Sequence, residues 1–270
     1  MRSEGLDHEN VSIDAYAPAK IASLVDAVGI KKANMPFLPL FTLGLLAGMF
    51  IAFGAMFYTV VITGSSLGFG PTRLLGGLVF SLGLILVVIA GAELFTGNNL
   101  IIIAWAQRNI SSSQLLRNWI IVYFANFIGS ILMAFFVHFS GMLELADGAV
   151  RATAFGIVNH KAKLDFVQAF SSGVLCNALV CLAVWLSLAA HTVSGKILAI
   201  IFPISAFVAL GFEHSVANMY FFGLFIFQPD SSLGLADMMQ NLVPVTLGNI
   251  VGGSGLVALI YWICYLRPTK

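Results

Sequence analysis

The segment "GFEHSVANM" (residues 211–219) places Glu213 and His214 side by side within a run of sequence that is otherwise almost wholly apolar. An earlier segment, "AGAELFTGNNL" (residues 90–100), carries the same Gly-x-Glu-x4-Asn pattern at an offset of 120 residues. The apolar segments that begin at Asn118 and Asn241 share the pattern Asn-x3-Val-x3-Asn-x2-Gly at an offset of 123 residues. Agreement in two consecutive segments indicates a duplicated unit.

The composition of the chain predicts an integral membrane protein. Of the 270 residues, 59% are hydrophobic and 9% are charged, whereas soluble domains carry about 25% charged residues. The 13 basic and 12 acidic residues nearly balance, so no surface for nucleic acid is expected. The five His residues lack metal-ligand spacing, and no GxSxG or GxxxxGK[ST] motif occurs. We therefore expect no metal, no cofactor and no enzymatic activity.

Long apolar runs predict six membrane crossings. Four runs exceed the ~20 residues that cross a bilayer: 38–63, 115–139, 164–190 and 238–266. Two further runs, 74–106 and 196–228, have about 33 residues each, too long for one straight helix and too short for two crossings. Each also carries ionisable residues near its middle. We therefore expect spans 2 and 5 to be broken helices, with the free backbone groups satisfied by protein or by a water-filled cavity.

The predicted fold is all-α, with six transmembrane helices in an aquaporin-like inverted repeat. Residues 1–37 form a cytoplasmic N-terminal segment, residues 38–266 the membrane domain, and residues 267–270 a cytoplasmic C-terminus. Repeat 1 covers about 38–139 and repeat 2 about 164–266. Because each repeat has three spans, the second copy lies upside down relative to the first.

The distribution of charge predicts the orientation in the membrane. Nine of the 13 basic residues fall on the side of the two termini, so the positive-inside rule places both termini in the cytoplasm. Apolar residues on one helical face between about 14 and 33 predict an amphipathic helix on the membrane surface. We expect a multi-pass protein of the cell membrane.

The two helix breaks meet near the midplane in an inverted repeat, where the N-terminal ends of half-helices favour anions. Glu93 and Glu213 occupy equivalent positions, as do Asn98 and Asn218. We interpret these four residues as structural, with the carboxylates accepting hydrogen bonds from loop N–H groups. A proton-relay role for Glu213 is the alternative.

His214 has no counterpart in the first repeat, where Leu94 stands at the equivalent position. A lone histidine is more often a satisfied core residue, but one at membrane depth favours function. Burial disfavours the charged imidazolium and a nearby anion favours it, so binding of a weak-acid anion and protonation would be coupled. Lys161 and Lys163, near the predicted outer mouth, would raise the local anion concentration or are ordinary solvated loop charges.

Four segments closely resemble the signature segments of the formate/nitrite transporter family: "GAELFTGNN", "CNALVCLAVW", "GFEHSVANM" and "NLVPVTLGNIVGG". The likeness extends over nearly the whole chain, from the first span to the last. The resemblance implies a homopentamer with a separate path through each protomer. It also implies transport of small monovalent anions such as formate, nitrite, hydrosulfide or lactate, in part together with protons.

The resemblance also implies roles for individual residues. The central histidine of the family corresponds to His214, its loop threonine to Thr96, its pore asparagine to Asn177 and its anion-attracting lysine to Lys161. Two apolar constrictions, which would exclude hydrated ions, correspond to Phe80 and Phe207 on the outer side and to Leu84, Leu94 and Val180 on the inner side.

Several functions stay open at this point. The favoured hypothesis is a proton-coupled transporter or channel for short monocarboxylates, formate first and lactate among them. Nitrite or hydrosulfide transport by the same fold is the alternative. A pore for neutral solutes shares the inverted repeat, but its paired Asn-Pro-Ala motifs are absent from the sequence.

Overall fold

The computed structural model describes residues 15–226 and 233–267. The predicted tails at residues 1–14 and 268–270, and the end of the apolar run that reaches Gln228, lie outside the described residues. The helices in chain order are α1 Pro18–Ala33, α2 Phe37–Ile62, α3 Phe69–Phe80, α4 Leu82–Ile85, α5 Phe95–Asn98, α6 Ile102–Ala106, α7 Ser112–Phe139, α8 Ala149–Ala162, α9 Phe166–Ala189, α10 Val193–Leu210, α11 Ser215–Ile226, α12 Leu235–Ile250 and α13 Ile260–Tyr265.

Six helical stretches within the described ranges are long and apolar enough to cross a membrane, which confirms the predicted number of crossings. Four of them are α2, α7, α9 and α10. The other two are composed of shorter elements. Phe69–Gly91 contains α3, α4 and a π-helical stretch that follows α4, and Leu235–Tyr265 contains α12 and α13 joined by a π-helical stretch. The shorter apolar helices Phe95–Ala106 and Ser215–Phe225 continue the second and fifth crossings.

Both predicted helix breaks are present, and each follows a glycine in the left-handed conformation. Gly91 has φ +87° and Gly211 has φ +77°, a conformation that ends a helix and that other residues rarely adopt. Residues 92–94 and 212–214 then run without helical structure. The chain resumes as a helix at Phe95 in the first repeat and at Ser215 in the second.

Small residues let the long helices of each repeat approach closely. α2 packs on α7 in the first repeat, and α9 packs on α12 in the second. A Cβ atom at Gly48 would overlap the Asn126 carbonyl of α7, and one at Gly252 would overlap the Val174 carbonyl of α9. Each of these glycines therefore allows the backbones of two helices to come into close contact.

Two helices outside the six crossings complete the described structure. α1 buries Ile21, Ala22 and Val25 against a cluster that contains Ile103 and Trp185. α8 lies between the third and fourth crossings, in a connection for which the sequence pattern predicted no helix. These two helices form one wall of each of the two cavities described next.

Candidate functional site

Two cavities lie beside the helix breaks, one at each break. The α1-side cavity has a volume of about 440 Å³ and is lined by α1 residues together with Glu93, Leu94 and Leu84. The α8-side cavity has a volume of about 360 Å³ and is lined by α8 residues together with Phe207 and His214. Each cavity thus borders one of the two breaks, and the α8-side cavity reaches His214.

The buried centre is a hydrogen-bonded pair of side chains, one from each break. His214 Nε2 lies 2.8 Å from Thr96 Oγ1. His214 is the residue immediately before α11, and Thr96 lies in the first turn of α5. Both side chains are buried. The two residues that the family resemblance places at the centre are therefore in direct contact.

The hydrogen bonds of the ring assign the tautomer of neutral His214. The Ala217 N–H donates to His214 Nδ1 at 3.1 Å, so Nδ1 is an acceptor and the ring proton lies on Nε2. Nε2–H then donates to Thr96 Oγ1, and the hydroxyl hydrogen of Thr96 is left to donate to another acceptor. The pair can therefore offer an O–H donor to an anion without any charge on the ring.

Asn177 fixes the backbone beside this pair. Its Nδ2 group donates to the Thr96 carbonyl at 3.2 Å and to the Asn249 carbonyl at 2.7 Å. A third acceptor, Asn99 Oδ1, lies 2.9 Å away. Asn177 Oδ1 is buried and has no hydrogen-bond partner among the described residues. Asn177 thus positions the backbone of Thr96.

Apolar side chains flank the centre on both sides. The rings of Phe80 and Phe207 meet edge to face with centroids 5.6 Å apart, and both line the α8-side cavity. Leu84 and Leu94 are buried and line the α1-side cavity. Val180 is buried in the same core, whereas the α9 residues that line the α1-side cavity are Val184, Ser187 and Leu188.

The first helix break is held by an ion pair that the sequence analysis did not predict. Lys32 Nζ, in the last turn of α1, lies 2.9 Å from Glu93 Oε1 and donates to Asn98 Oδ1 at 2.9 Å. Asn98 Nδ2 donates to Glu93 Oε2 at 2.7 Å and to Asn118 Oδ1 at 3.0 Å. Asn118 Nδ2 in turn donates to the Lys32 carbonyl. We call these four residues the α1-side network.

The second helix break repeats this arrangement. Lys161 Nζ, in the last turn of α8, lies 2.8 Å from Glu213 Oε1. Asn218 Nδ2 donates to Glu213 Oε2 at 2.6 Å and to Asn241 Oδ1 at 2.7 Å. Asn241 Nδ2 in turn donates to the Lys161 carbonyl. We call these four residues the α8-side network.

These contacts correct the expected partners of the two carboxylates. Glu93 and Glu213 were expected to accept hydrogen bonds from loop N–H groups, but they accept from ammonium and amide side chains. The loop N–H groups have other acceptors: Phe95 N donates to Asn126 Oδ1 at 2.9 Å, and Ser215 N donates to Asn249 Oδ1 at 3.0 Å. A neutral amide therefore satisfies each loop, and the carboxylate is free to pair with lysine.

The sequence carried a signal for the lysines. "KANMPFLPLFTLG" from Lys32 and "KAKLDFVQAFSSG" from Lys161 share Lys-Ala-x3-Phe-x3-Phe-x2-Gly at an offset of 129 residues. This third repeated segment would have identified Lys32 as the counterpart of Lys161. Lys163, the other lysine considered, is exposed at the end of α8 and does not line the cavity.

The fold and the buried centre define a multi-pass membrane transport protein. Residues 19–263 match the model of the family described as formate/nitrite transporter. The formate channel FocA of Escherichia coli K12 is 38% identical over 273 residues, covering 94% of this chain and 96% of that protein. The formate channel FocA of Haemophilus influenzae is 40% identical over 268 residues, covering 92% and 94%. The chain therefore belongs to the formate/nitrite transporter family, whose members act as transporters and not as enzymes.

Solved structures agree with this assignment. A pentameric formate channel with formate bound has a TM-score of 0.78 at 42% identity, covering 84% of this chain and 97% of that one. A structure described as an FNT family ion channel has a TM-score of 0.81 at 31% identity, covering 93% and 98%. Both comparisons confirm the predicted six-helix fold with broken helices.

Proposed function

We propose that this chain carries small monovalent anions, formate before others, across the cell membrane together with protons. The observation that carries the proposal is the hydrogen-bonded pair of His214 and Thr96, buried between two opposed cavities. The names of the relatives favour formate as the substrate, and the pentameric formate channel favours a homopentamer as the assembly.

The proposed path runs from the α8-side cavity past Phe80 and Phe207 to the central pair, and then past Leu84 and Leu94. A hydrated ion cannot pass the apolar side chains without losing its water, which is costly in a low-dielectric passage. At the centre the Thr96 hydroxyl can donate a hydrogen bond to the anion. The path therefore favours a small anion that loses water easily or is neutralised by a proton on the way.

The proposed proton site is His214. Protonation at Nδ1 would displace the Ala217 N–H, which now donates to that nitrogen. The imidazolium therefore forms only if the ring turns or the first turn of α11 loosens, and an anion beside the ring offsets the cost. Proton uptake would thus depend on the arrival of the substrate, which is the coupling that the proposal needs.

Lys161 is the proposed cation that favours anions at the α8-side entrance. Its ammonium lies against Glu213, so its main effect is to cancel a carboxylate that would repel anions. In the proposed orientation the α8-side cavity opens outward and the α1-side cavity opens to the cytoplasm. This orientation rests on the predominance of basic residues on the side of the termini.

The test is uptake of labelled formate into proteoliposomes, with nitrite, hydrosulfide and lactate as competitors. We expect saturable formate uptake above that of empty vesicles, and the strongest competitor identifies the next best substrate. If nitrite or hydrosulfide enters much faster than formate, the alternative substrate class is correct. If no anion enters but glycerol or water equilibrates faster than in empty vesicles, the anion proposal is wrong and the chain forms a neutral-solute pore.

A further inference from the structure

The charges that line the α8-side cavity do not cancel. The lining residues that can carry a charge near neutral pH are Arg73, Lys161, Glu213, His160 and His214. Lys161 and Glu213 form an ion pair at 2.8 Å and together contribute no net charge. With both histidines counted as neutral, the cavity wall therefore keeps a single positive charge, which belongs to Arg73.

The guanidinium of Arg73 is fixed by neutral acceptors. Nε donates to the Ala209 carbonyl at 2.9 Å, and Nη2 donates to the Val208 carbonyl at 2.9 Å. Nη1 donates to Tyr58 Oη at 3.3 Å. Among the described residues no carboxylate pairs with Arg73, in contrast to Lys161. Three of the five N–H groups are used, so two donors and the full charge remain for a ligand.

The position of Arg73 places this charge beside the narrow part of the path. Its two backbone acceptors directly follow Phe207, whose ring contacts Phe80. An anion that approaches these rings from the α8-side cavity therefore passes a rigidly held cation. An unpaired charge on a low-dielectric wall attracts counter-ions much more strongly than the same charge in open water.

We propose that Arg73 is the residue that selects anions in the α8-side cavity and concentrates them before the Phe80–Phe207 constriction. Lys161 then acts chiefly as the partner that neutralises Glu213. This proposal rests on the proposed function, because it assumes that the cavity admits a small monovalent carboxylate. A single uncompensated cation suits a ligand that carries a single negative charge.

Substitution of Arg73 alone would not separate its charge from its hydrogen bonds to α10. Gly156 of α8 offers a cleaner test, because it lines the same cavity and a Cβ atom there would meet nothing within 4 Å. Gly156→Glu introduces a carboxylate that opposes Arg73, and Gly156→Gln introduces a neutral side chain of nearly the same size. Arg73 and its hydrogen bonds stay in place in both variants.

The measurement is the initial rate of labelled formate entry into proteoliposomes at low formate concentration. We expect the Gly156→Glu rate to be about fivefold below the Gly156→Gln rate in low salt. The difference should fall below about twofold when the ionic strength is raised from about 20 to about 500 mM, because salt screens exposed charges. At saturating formate the two variants should have similar rates.

A second pair of variants tests Arg73 itself. Arg73→Lys keeps the charge and should retain most of the rate of formate entry at low formate concentration. Arg73→Gln should lose most of this rate in low salt, and the loss should become smaller in high salt. Equal rates for Gly156→Glu and Gly156→Gln would overturn the proposal. Equal, salt-independent losses of the formate entry rate in Arg73→Lys and Arg73→Gln would also overturn the proposal. They would show that Arg73 acts through its hydrogen bonds to α10.

The measurements distinguish an error in the role of Arg73 from an error in the proposed function. If the native protein moves formate but none of these rates depends on charge, only the role of Arg73 is wrong. If the native protein moves none of formate, nitrite, hydrosulfide or lactate, the proposed function is wrong and the role of Arg73 with it. If Arg73→Gln does not assemble, the Gly156 pair alone decides.

Discussion

The two helix breaks have nearly the same supports but different centres. The α1-side and α8-side networks each join a lysine, a glutamate and two asparagines through matching contacts. They differ in one contact, because Lys32 also donates to Asn98 Oδ1 whereas Asn218 Oδ1 has no partner among the described residues. At the centre, however, Thr96 in the first repeat corresponds to Val216, and His214 in the second corresponds to Leu94. The duplicated residues build the scaffold, and the residues that differ are those to which we assign the chemistry.

The supports themselves differ in burial, and this difference should be measurable. The Lys161 side chain is 12% exposed and the Lys32 side chain is 25% exposed. Removing one partner of a buried ion pair leaves an uncompensated charge and costs about 3–5 kcal/mol. We therefore expect Lys161→Ala to lower thermal stability in detergent more than Lys32→Ala does.

The same Lys161→Ala variant should weaken formate uptake most at low substrate concentration, because Glu213 is then left to repel the anion. Lys161→Ala/Glu213→Gln, which restores neutrality, should recover much of this loss. An unchanged concentration dependence in Lys161→Ala would contradict a role for Lys161 in anion entry. Equal destabilisation by Lys161→Ala and Lys32→Ala would show that the two networks are equally buried in the assembled protein.

Substitution of the asparagine that accepts from the loop N–H group should lower stability equally in the two repeats. Asn126 accepts from Phe95 N and donates to the Gly44 and Glu93 carbonyls. Asn249 makes the matching contacts with Ser215 N and two carbonyls, one of them that of Glu213.

Because alanine leaves these buried groups unpaired, we expect Asn126→Ala and Asn249→Ala each to cost about 2 kcal/mol of stability. Thermal unfolding monitored by circular dichroism measures both variants. A much larger loss in one of them would mean that the two loops are not held in the same way, and the comparison between the repeats would need revision.

Substitution of Thr96 in the central pair should have the smallest effect on stability and a clear effect on formate uptake. Thr96→Val makes the first repeat resemble the second and removes the acceptor of His214 Nε2–H, together with the hydroxyl donor. We expect a fall in formate uptake of about tenfold, equivalent to about 1.4 kcal/mol. Thr96→Ser should retain most of the uptake, and Val216→Thr should change it little. Uptake that is unaffected by Thr96→Val would exclude the hydroxyl from the path.

The sequence predicted those features that follow from length, hydrophobicity and repetition. The two broken spans were predicted because runs of about 33 apolar residues with central charges fit neither one crossing nor two. The family resemblance singled out His214 and Thr96 separately, and only the structure shows that their side chains are in contact. α8 was not predicted because its short run mixes apolar and basic residues.

The ion pairs were not predicted, although the segments that begin at Lys32 and Lys161 indicate that the two lysines are equivalent. Lys32 was counted only among the nine basic residues on the side of the termini, because the positive-inside rule accounts for such a residue without any partner. Glu93 and Glu213 were assigned backbone donors, since a break in a helix frees N–H groups but does not reveal which side chains will compete for them. Arg73 was not predicted to have a role, because a sequence does not show which cations have a carboxylate partner. Only the three-dimensional arrangement shows that Arg73 lacks one among the described residues.

The central claim is that His214 couples anion transport to protons within a duplicated scaffold. The most direct test compares native protein with His214→Asn in proteoliposomes, recording labelled formate and a trapped pH dye at the same time. We predict that formate changes the internal pH with the native protein, and that His214→Asn still passes formate but loses the proton signal. An unchanged ratio of protons to formate in His214→Asn would contradict the claim and assign the proton to another group.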